Sequence, residues 1–311
     1  MESIQDENEW VEDFLSYQCA QRGASPRTIA TYREALNYSE EFFVREKAAP
    51  VRWSLLKTED FRAWEAEQMR RGYMPAYVRK NMSALRSFYR FLLREQRVKS
   101  DPVRQVKTPK IPRRLPTFVR EEEMDRLFEL YPFGDGYIGR RDYTILLLLY
   151  HTGMRSAEML AMNGGDVSLT ESTVRVTGKG NRQRVIPFGP ELAEALCIYI
   201  KEWKAFLGCA DTEAFGLPLF VSQRKRRMTY TELRQLVRDA LGAVTTQKKR
   251  SPHVLRHSFA TAMLANGAQL EAIQQLLGHA SVATTAIYTH TTVAELREQY
   301  HKAHPRNESE D

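Results

Sequence analysis

The stretch STVRVTGKGNRQRVIPF, residues 172–188, predicts a β-hairpin in a chain whose other long segments mostly have the periodicity of helices. Residues 172–177 and 182–188 alternate apolar and polar side chains, which is typical of strands. Residues 178–181 provide the turn between them. A further short strand is predicted at 219–221. The expected fold class is therefore mainly α with a small β-sheet in the C-terminal domain.

The segments before the hairpin carry helix signals. Ser25 followed by Pro26 is the pattern of a helix N-cap with proline at the first helical position. Further along, apolar residues recur at the spacing of one helix face, namely Val78, Met82, Leu85, Tyr89 and Leu92. The other faces of this helix carry Arg79, Lys80, Arg86, Arg90 and Arg94. The basic faces fit either plain solvent exposure or contact with DNA.

A basic segment with three prolines, QVKTPKIPRRLPT at 105–117, divides the chain. Because proline blocks helix and removes backbone donors, we expect an extended linker there. The linker separates a helical N-terminal domain at 1–104 from a second domain at 118–311. Its basic side chains are further candidates for contact with a phosphate backbone, namely Lys107, Lys110, Arg113 and Arg114.

The charge distribution favours an anionic partner. The 311 residues carry a formal net charge of +7, and the basic residues concentrate in two blocks. Residues 69–114 contain 14 Lys or Arg against two acids, and residues 221–256 contain 10 against two. Dense basic blocks of this kind are typical of surfaces that follow a nucleic-acid backbone.

Nothing in the sequence indicates a membrane protein. The longest apolar run, 145–150, is far shorter than the roughly 18 residues of a membrane span and is expected to be a buried helix segment. The N-terminus is acidic and lacks the layout of a signal peptide. Cys19, Cys197 and Cys209 are odd in number and lack metal-ligand spacing, so we expect small core residues and a cytoplasmic location.

The stretch SPHVLRHSFAT, 251–261, contains two histidines and an arginine, and a metal site is one interpretation of it. His253 and His257 are four residues apart, the spacing of the histidines in HExxH zinc sites. Val254 stands where that motif has its glutamate, and the stretch contains no acidic residue. We therefore expect no metal and no other cofactor.

A second interpretation joins this stretch to other cationic groups and a phenol, namely Arg155, Lys179, His253, Arg256, His279 and Tyr288. Each has a plain structural explanation, such as a surface ion pair between Arg155 and Glu158. Together they match a metal-free phosphoryl transfer, in which two guanidiniums hold the non-bridging oxygens of a phosphodiester. Nearby cations lower the pKa of a phenol, an imidazole accepts its proton, and an ammonium protonates the leaving oxygen.

Several motifs in order resemble the tyrosine recombinases of the Xer group, and the resemblance covers nearly the whole chain. They are SPRTIATYREAL (25–36), TGMRSAE (152–158), VTGKGNRQRVIP (176–187), HVLRHSFAT (253–261), LLGHASVATTAIYTH (276–290) and HKAHPR (301–306). The resemblance implies a two-domain DNA clamp, with a helical SAM-like core-binding domain and a catalytic domain. It also implies site-specific recombination of duplex DNA, with resolution of chromosome or plasmid dimers as the expected role.

The resemblance assigns the chemical steps to matched residues. Arg155 and Arg256 are expected to bind the scissile phosphate. Tyr288 is the expected nucleophile, which forms a 3′-phosphotyrosyl link and frees a 5′-hydroxyl. Lys179 is the expected general acid for that hydroxyl.

Other matched residues have supporting roles in the family pattern. His253 is expected to assist proton transfer at the tyrosine, His279 to hydrogen-bond the phosphate, and Glu158 to support the active-site histidine. His257 is not a catalytic member of the pattern and is expected to pack or to orient a neighbour. The stretch MNGGDVSL, 162–169, departs from the family, and its two glycines are expected to loosen that turn.

The resemblance also implies partners. Four protomers assemble on two DNA sites, as a homo-tetramer or as a hetero-tetramer with a paralogous recombinase. The helix expected at 291–301 would be donated to a neighbouring protomer. A septal DNA translocase is a further expected partner, and the expected location is the nucleoid in the cytoplasm.

Three alternatives compete with this interpretation. A type IB topoisomerase shares the chemistry, but the candidate exchange helix and the compact helical first domain favour recombination. A non-catalytic DNA-binding regulator would explain the charge but not six reactive residues in order. An integrase of a small mobile element stays open. If Tyr288 is not the nucleophile, Tyr150 and Tyr300 are the next candidates.

Overall fold

The chain forms two compact units, Met1–Arg114 and Leu115–Asp311. The computed structural model describes residues 4–109, 117–178, 180–278 and 293–306. None of the helices in these ranges is both long enough and apolar enough to cross a membrane.

In its described residues, the first unit consists of four α-helices: α1 (Ile4–Ala20), α2 (Pro26–Lys47), α3 (Thr58–Arg70) and α4 (Pro75–Arg94). Helix α2 begins as predicted, because the Ser25 side chain accepts a hydrogen bond from the Thr28 N–H at 3.2 Å and Pro26 occupies the first turn. It ends at Ala48, whose φ of 50° is left-handed. Helices α1 and α2 pack against each other and against α4.

Helix α4 forms the centre of this core. The predicted stripe is confirmed, since all five of its members have an exposed fraction of zero: Val78, Met82, Leu85, Tyr89 and Leu92. The buried Tyr89 hydroxyl is satisfied by donating to the Trp53 carbonyl oxygen at 2.7 Å. Val106, which lies inside the predicted linker, is buried in the same core.

The second unit is built around α6. Its described helices are α5 (Glu121–Leu130), α6 (Gly136–Thr152), α7 (Ser156–Ala161), α8 (Pro190–Leu207), α9 (Asp211–Ala214), α10 (Tyr230–Val244), α11 (Pro252–Ala265), α12 (Leu270–Leu277) and α13 (Val293–Ala303). Residues 145–150 of α6 are all buried, which confirms the expected buried segment. Helices α8 and α11 pack on α6. A helix covered in this way has apolar residues on all its faces.

A three-stranded antiparallel sheet packs against α7, α12 and α13 of the second unit. Its strands, in sheet order, are β1 (Val167–Ser168), β2 (Thr173–Thr177) and β3 (Gln183–Pro187). Strands β2 and β3 confirm the predicted hairpin, each slightly shorter than predicted, whereas β1 was not predicted because two residues carry no periodicity. The strand predicted at 219–221 is wrong, since Val221 forms only an isolated bridge with Arg227.

Helix α13 packs on its own chain, against α11, α12 and β3. Tyr300 is fully buried, and its hydroxyl lies 3.2 Å from His151 Nδ1. Beyond the helix, Arg306 donates to Glu191 at 2.8 Å and to Asp125 at 2.7 Å. These contacts anchor the C-terminal segment to α5, α6 and α8 of the same unit.

Two smaller expectations are wrong. Cys19 is exposed, and Cys197 and Cys209 are only partly buried, so the cysteines are not core residues. Gly164 and Gly165 do not loosen their turn, because they form part of a 3₁₀ turn in close contact with neighbouring groups.

Candidate active site

The site begins where α6 ends at Gly153. Gly153 has a φ of 56°, and a Cβ added there would lie 2.4 Å from a Phe259 ring carbon and 2.8 Å from Leu277. Only glycine fits such a left-handed position with so close an approach. The tight turn brings the Gly153 carbonyl against α11 and places Arg155 at the start of α7.

Arg256 is the buried arginine of the site. Its exposed fraction is 8%, and its guanidinium donates to the carbonyl oxygens of Gly153 and Leu277, both at 2.8 Å. Burial, and after it the positive charge of Arg155, lowers the pKa of Arg256 to about 10. The side chain therefore remains protonated at neutral pH and is fixed in orientation by two carbonyls.

Arg155 is the more accessible arginine. Its Nη1 donates to Glu158 Oε1 at 2.9 Å, and its Nη2 donates to the Gly278 carbonyl oxygen at 3.0 Å. Its side chain is 41% exposed, so it can reach a ligand in solution. The ion pair with Glu158 exists as the sequence suggested, but Glu158 is buried, so this is not a surface pair.

Glu158 is held by two arginines. Arg184 on β3 donates to both oxygens of the Glu158 carboxylate, each at 2.9 Å, and the Arg155 backbone N–H donates to Glu158 Oε2 at 2.8 Å. Burial by itself raises the pKa of Glu158, but the hydrogen bonds from Arg184 and Arg155 outweigh it and hold the pKa below its ordinary value. The carboxylate is therefore ionised at neutral pH.

Arg184 is the site residue that sequence reasoning missed. A signal was present, because Arg184 and the buried Ile186 are two residues apart on β3 and share a strand face. An arginine on an inward face requires an acidic partner or carbonyl acceptors. Its partner Glu158 lies 26 positions earlier in the chain, so spacing could not identify it.

Three successive carbonyl groups at the end of α12 each accept from a different arginine. Leu276 accepts from Arg184 at 2.8 Å, Leu277 from Arg256, and Gly278 from Arg155. The last carbonyls of a helix lack intrahelical partners and carry partial negative charge, so they suit guanidinium donors. The end of α12 thus aligns three guanidiniums in one place.

The two histidines of α11 are both exposed. His253 lies one turn before Arg256 on the same helix. His257, expected to pack or to orient a neighbour, is exposed and is therefore not a packing residue. Partial desolvation of its ring, followed by the charges of His253 and Arg256, lowers the pKa of His257.

Lys179, His279 and Tyr288 lie outside the described residues, and their roles stay predictions. Their described neighbours belong to the site. A Cβ added at Gly178 would lie 3.4 Å from Glu158 Oε1, and Gly278 accepts from Arg155.

The alternative nucleophiles are both enclosed in the core. Tyr150 is 1% exposed and Tyr300 is fully buried. Burial raises the pKa of each phenol well above its ordinary value. Neither hydroxyl can meet a DNA strand in this arrangement.

The candidate DNA-contacting residues of the first unit differ in availability. Arg79, Lys80, Arg90 and Lys107 are exposed. Arg86 donates to the Val106 carbonyl oxygen at 2.6 Å, and Arg94 is paired with Glu95 and lies 3.7 Å from the Tyr17 ring centroid. Lys110, Arg113 and Arg114 lie outside the described residues. The roles of all nine in DNA contact stay predictions.

Family models match both units of the chain. The model of the phage integrase family matches residues 117–295, and that of the phage integrase N-terminal SAM-like domain matches residues 11–96.

Curated relatives match over nearly the full length. Tyrosine recombinase XerC of Chlorobaculum parvum is 35% identical over 95% of this chain and 94% of its own length. Tyrosine recombinase XerC of Bacillus pumilus is 36% identical over 94% of this chain and 95% of its own length. Tyrosine recombinase XerD of Oceanobacillus iheyensis is 34% identical over 95% of this chain and 98% of its own length.

Solved structures share the fold. XerH site-specific recombinase bound to difH substrate has a TM-score of 0.69 at 21% identity, with 93% of each chain covered. The Tn1549 transposon integrase in complex with transposon right end DNA also has a TM-score of 0.69, at 17% identity, with 93% of this chain and 98% of that chain covered.

Proposed function

Since the chain belongs to the phage integrase family of tyrosine recombinases, we propose that it is a Xer-type site-specific recombinase with Arg155 and Arg256 at its phosphate site. The observation that carries this proposal is the pair of guanidiniums held on adjacent carbonyls, Leu277 and Gly278, next to position 279. Two fixed cations suit the non-bridging oxygens of one phosphodiester.

The proposed reaction has two transesterification steps. Tyr288 attacks the scissile phosphorus, a 3′-phosphotyrosyl bond forms, and the bond to the 5′ oxygen breaks. The phenol proton passes to a base, for which His253 is the candidate, and Lys179 gives a proton to the leaving 5′ oxygen. Attack by a 5′-hydroxyl of the partner strand then reverses these steps and releases the tyrosine.

The arginines supply the charge stabilisation of the proposed transition state. During attack, negative charge accumulates on the non-bridging oxygens of the phosphate. Fixed donors stabilise such charge without reorganising, a contribution of about 10²–10³ in rate for each donor. Arg256 is fixed by two carbonyls, while Arg155 retains exposed surface for the ligand. His279 is proposed as a further donor to the phosphate.

The partners follow from the proposed role. The substrate is a duplex DNA recombination site, contacted in part by the exposed basic residues of α4. We propose that four protomers assemble on two synapsed sites, either alone or with a paralogous recombinase. In that assembly α13 would leave its contacts with α11, α12 and β3 and pack on a neighbouring protomer. A septal DNA translocase and a nucleoid location belong to the same proposal.

A covalent-capture experiment tests the proposed nucleophile. In a nicked suicide substrate, cleavage releases a short fragment that carries the new 5′-hydroxyl. Because this fragment diffuses away, religation cannot occur and the protein stays covalently attached to the DNA. We expect the wild-type protein to form an adduct in the presence of EDTA and Tyr288→Phe to form none. Tyr288→Phe should bind the DNA site as tightly as the wild-type protein does. Tyr73→Phe, which changes an exposed tyrosine of the first unit, is the control and should form the adduct. An adduct with Tyr288→Phe would contradict the proposal.

Mapping the bound sites on the host chromosome separates the two recombination roles. Dimer resolution predicts one main site opposite the replication origin. Integration of a mobile element predicts sites at the ends of that element. The XerC and XerD relatives at about 35% identity favour the first outcome.

A further inference from the structure

We propose that Arg184 is a positioning residue for phosphate binding: it neutralises the Glu158 carboxylate and thereby keeps the Arg155 guanidinium available to the phosphate. This inference rests on the proposed function. It concerns a residue that lies within the motif VTGKGNRQRVIP (176–187) but has no role among those assigned above. It follows from how the donors of three arginines are distributed over one carboxylate and three carbonyls.

The donors of Arg184 point inward. Its two Nη atoms bind the two oxygens of Glu158 at 2.9 Å each, and its Nε donates to the Leu276 carbonyl oxygen at 2.8 Å. Its side chain is 16% exposed, against 41% for Arg155. Arg184 therefore acts on Glu158 and α12, whereas Arg155 can reach a phosphate.

Glu158 is a potential competitor of that phosphate. Arg155 Nη1 already donates to Glu158 Oε1 at 2.9 Å, and the carboxylate is buried. A carboxylate and a phosphate bind guanidinium through the same planar fork. Among the residues that the structure describes, Arg155 would be the guanidinium left on Glu158 without Arg184. A buried carboxylate holds a lone partner strongly. With Arg184 bound to both oxygens, the hold on Arg155 is weaker.

The backbone at Gly278 leaves room for Arg184. A Cβ added at Gly278 would lie 2.8 Å from Arg184 Nη1 and 3.0 Å from its Cζ. Gly278 also has a φ of 63° and supplies the carbonyl that holds Arg155. The same residue therefore gives space to one arginine and an acceptor to the other, directly before position 279.

The test uses Arg184→Gln and Arg184→Lys with the suicide substrate. We expect Arg184→Gln to slow adduct formation about 10- to 100-fold, the usual effect of removing a group that orients a reactive one. Site binding should stay within about twofold, because Arg184 does not face the ligand. Arg184→Lys keeps the charge but not the fork, and its rate should fall in between.

The matched control is Arg175→Gln. Arg175 is an exposed arginine on β2 of the same hairpin, and its ion pair is with Asp166 rather than Glu158. The Arg175→Gln variant should form the adduct at the wild-type rate. Thermal unfolding of each variant identifies any that fail to fold.

The double variant Glu158→Gln/Arg184→Gln separates positioning from simple support. If Arg184 acts by neutralising a carboxylate, removing that carboxylate should recover at least tenfold of the rate lost in Arg184→Gln. A merely supporting Arg184 predicts the reverse, since the double variant loses further hydrogen bonds. A methylphosphonate at the scissile position gives a second readout. It removes one charged oxygen, and the deficit of Arg184→Gln should shrink.

Two results would overturn the inference. The first is that Arg184→Gln forms the adduct at the wild-type rate. The second is that the double variant is no faster than Arg184→Gln and that the rate loss of Arg184→Gln is as large on the methylphosphonate substrate as on the ordinary one. If Arg184→Gln does not fold, Arg184→Met, which also removes the charge, is compared with Glu158→Gln/Arg184→Met in the same way. Absence of any adduct with the wild-type protein would instead contradict the proposed function itself.

Discussion

At the scale of single residues, the site depends on side chains whose polar groups are almost all engaged. Arg256 makes two bonds to carbonyl oxygens that no other described side chain satisfies in its place. A planar fork with several donors can hold two carbonyls and still present N–H groups to a ligand, whereas an ammonium offers three donors from one point. Replacement by lysine is therefore not conservative at this position.

Arg256→Lys should slow adduct formation by roughly 100-fold or more while DNA binding remains measurable. The measurement is the rate of covalent capture at saturating protein. Arg227→Lys is the control, because Arg227 also donates to two carbonyls, those of Leu160 and Met162, but does not contact Arg155, Glu158 or Arg256. Equal losses in the two variants would indicate a general folding defect.

Gly164 shows how a missing side chain contributes to packing. A Cβ added there would lie 2.4 Å from the Ala214 carbonyl oxygen and 2.8 Å from the Trp203 ring. Gly164→Ala should lower the free energy of unfolding by about 1–3 kcal/mol, the usual cost of overpacking. Urea unfolding measures it. Gly216→Ala, where an added Cβ meets nothing within 4 Å, should change stability little.

At the scale of elements, α12 matters most through its C-terminal end. The helix is short, Leu270–Leu277, and its inward face is buried against the core. Among the described parts of the chain, the donors to its last carbonyls are the arginines of β3, α11 and the loop before α7. Helix end and arginines therefore stabilise one another, and a shift of α12 would move all three guanidiniums together.

Gly278→Ala tests this coupling. The substitution introduces left-handed strain and a contact of 2.8 Å with Arg184, so both stability and adduct formation should fall. Gly267→Ala is the matched control, since its φ of 84° brings similar strain but an added Cβ meets nothing within 4 Å. We expect Gly267→Ala to lose about 1 kcal/mol of stability and to cleave at the wild-type rate. Slow cleavage in both would indicate that backbone strain alone is responsible.

At the scale of the whole molecule, a buried polar cluster anchors the C-terminal segment. His151 Nε2 lies 3.1 Å from Glu191, its Nδ1 faces the Tyr300 hydroxyl, and its ring stacks on His304 with centroids 4.3 Å apart. Burial lowers the pKa of His151 despite the Glu191 hydrogen bond, and burial followed by the charge of His151 lowers that of His304. Both histidines are therefore neutral in the folded protein at neutral pH.

Stability should consequently fall as the pH is lowered below about 6.5. There the unfolded chain binds a proton at each histidine more readily than the folded chain does, so each contributes a slope of at most about 1.4 kcal/mol per pH unit. Glu191, whose folded pKa of about 2 is depressed despite burial by its bonds to His151 and Arg306, loses its contribution only as the pH falls from about 4.5 toward 2. The range from pH 6.5 to 5 thus separates the histidines from Glu191.

Urea unfolding between pH 7 and 5 measures this slope. His304→Phe keeps an aromatic ring but cannot titrate, so its stability should depend less on pH than that of the wild-type protein. An identical slope in His304→Phe would contradict the assignment.

Much of the architecture followed from local rules alone. The stripe on α4, the cap of α2, the buried run in α6 and the hairpin β2–β3 were all predictable, because backbone geometry imposes periods of 3.6 and 2 on any chain. The order of the motifs also identified the family. Arg155, Glu158 and Arg256 could be selected in this way before any distance was known.

What only the tertiary structure decided are the partners of those residues. Arg184 meets Glu158 across 26 positions, and Arg155 meets Gly278 across 123. In this arrangement the Tyr150 and Tyr300 hydroxyls are enclosed in the core, which the sequence could not indicate. Contacts between distant segments arise from the packing of helices around a shared core, and no local period encodes which carbonyl will stand opposite which guanidinium.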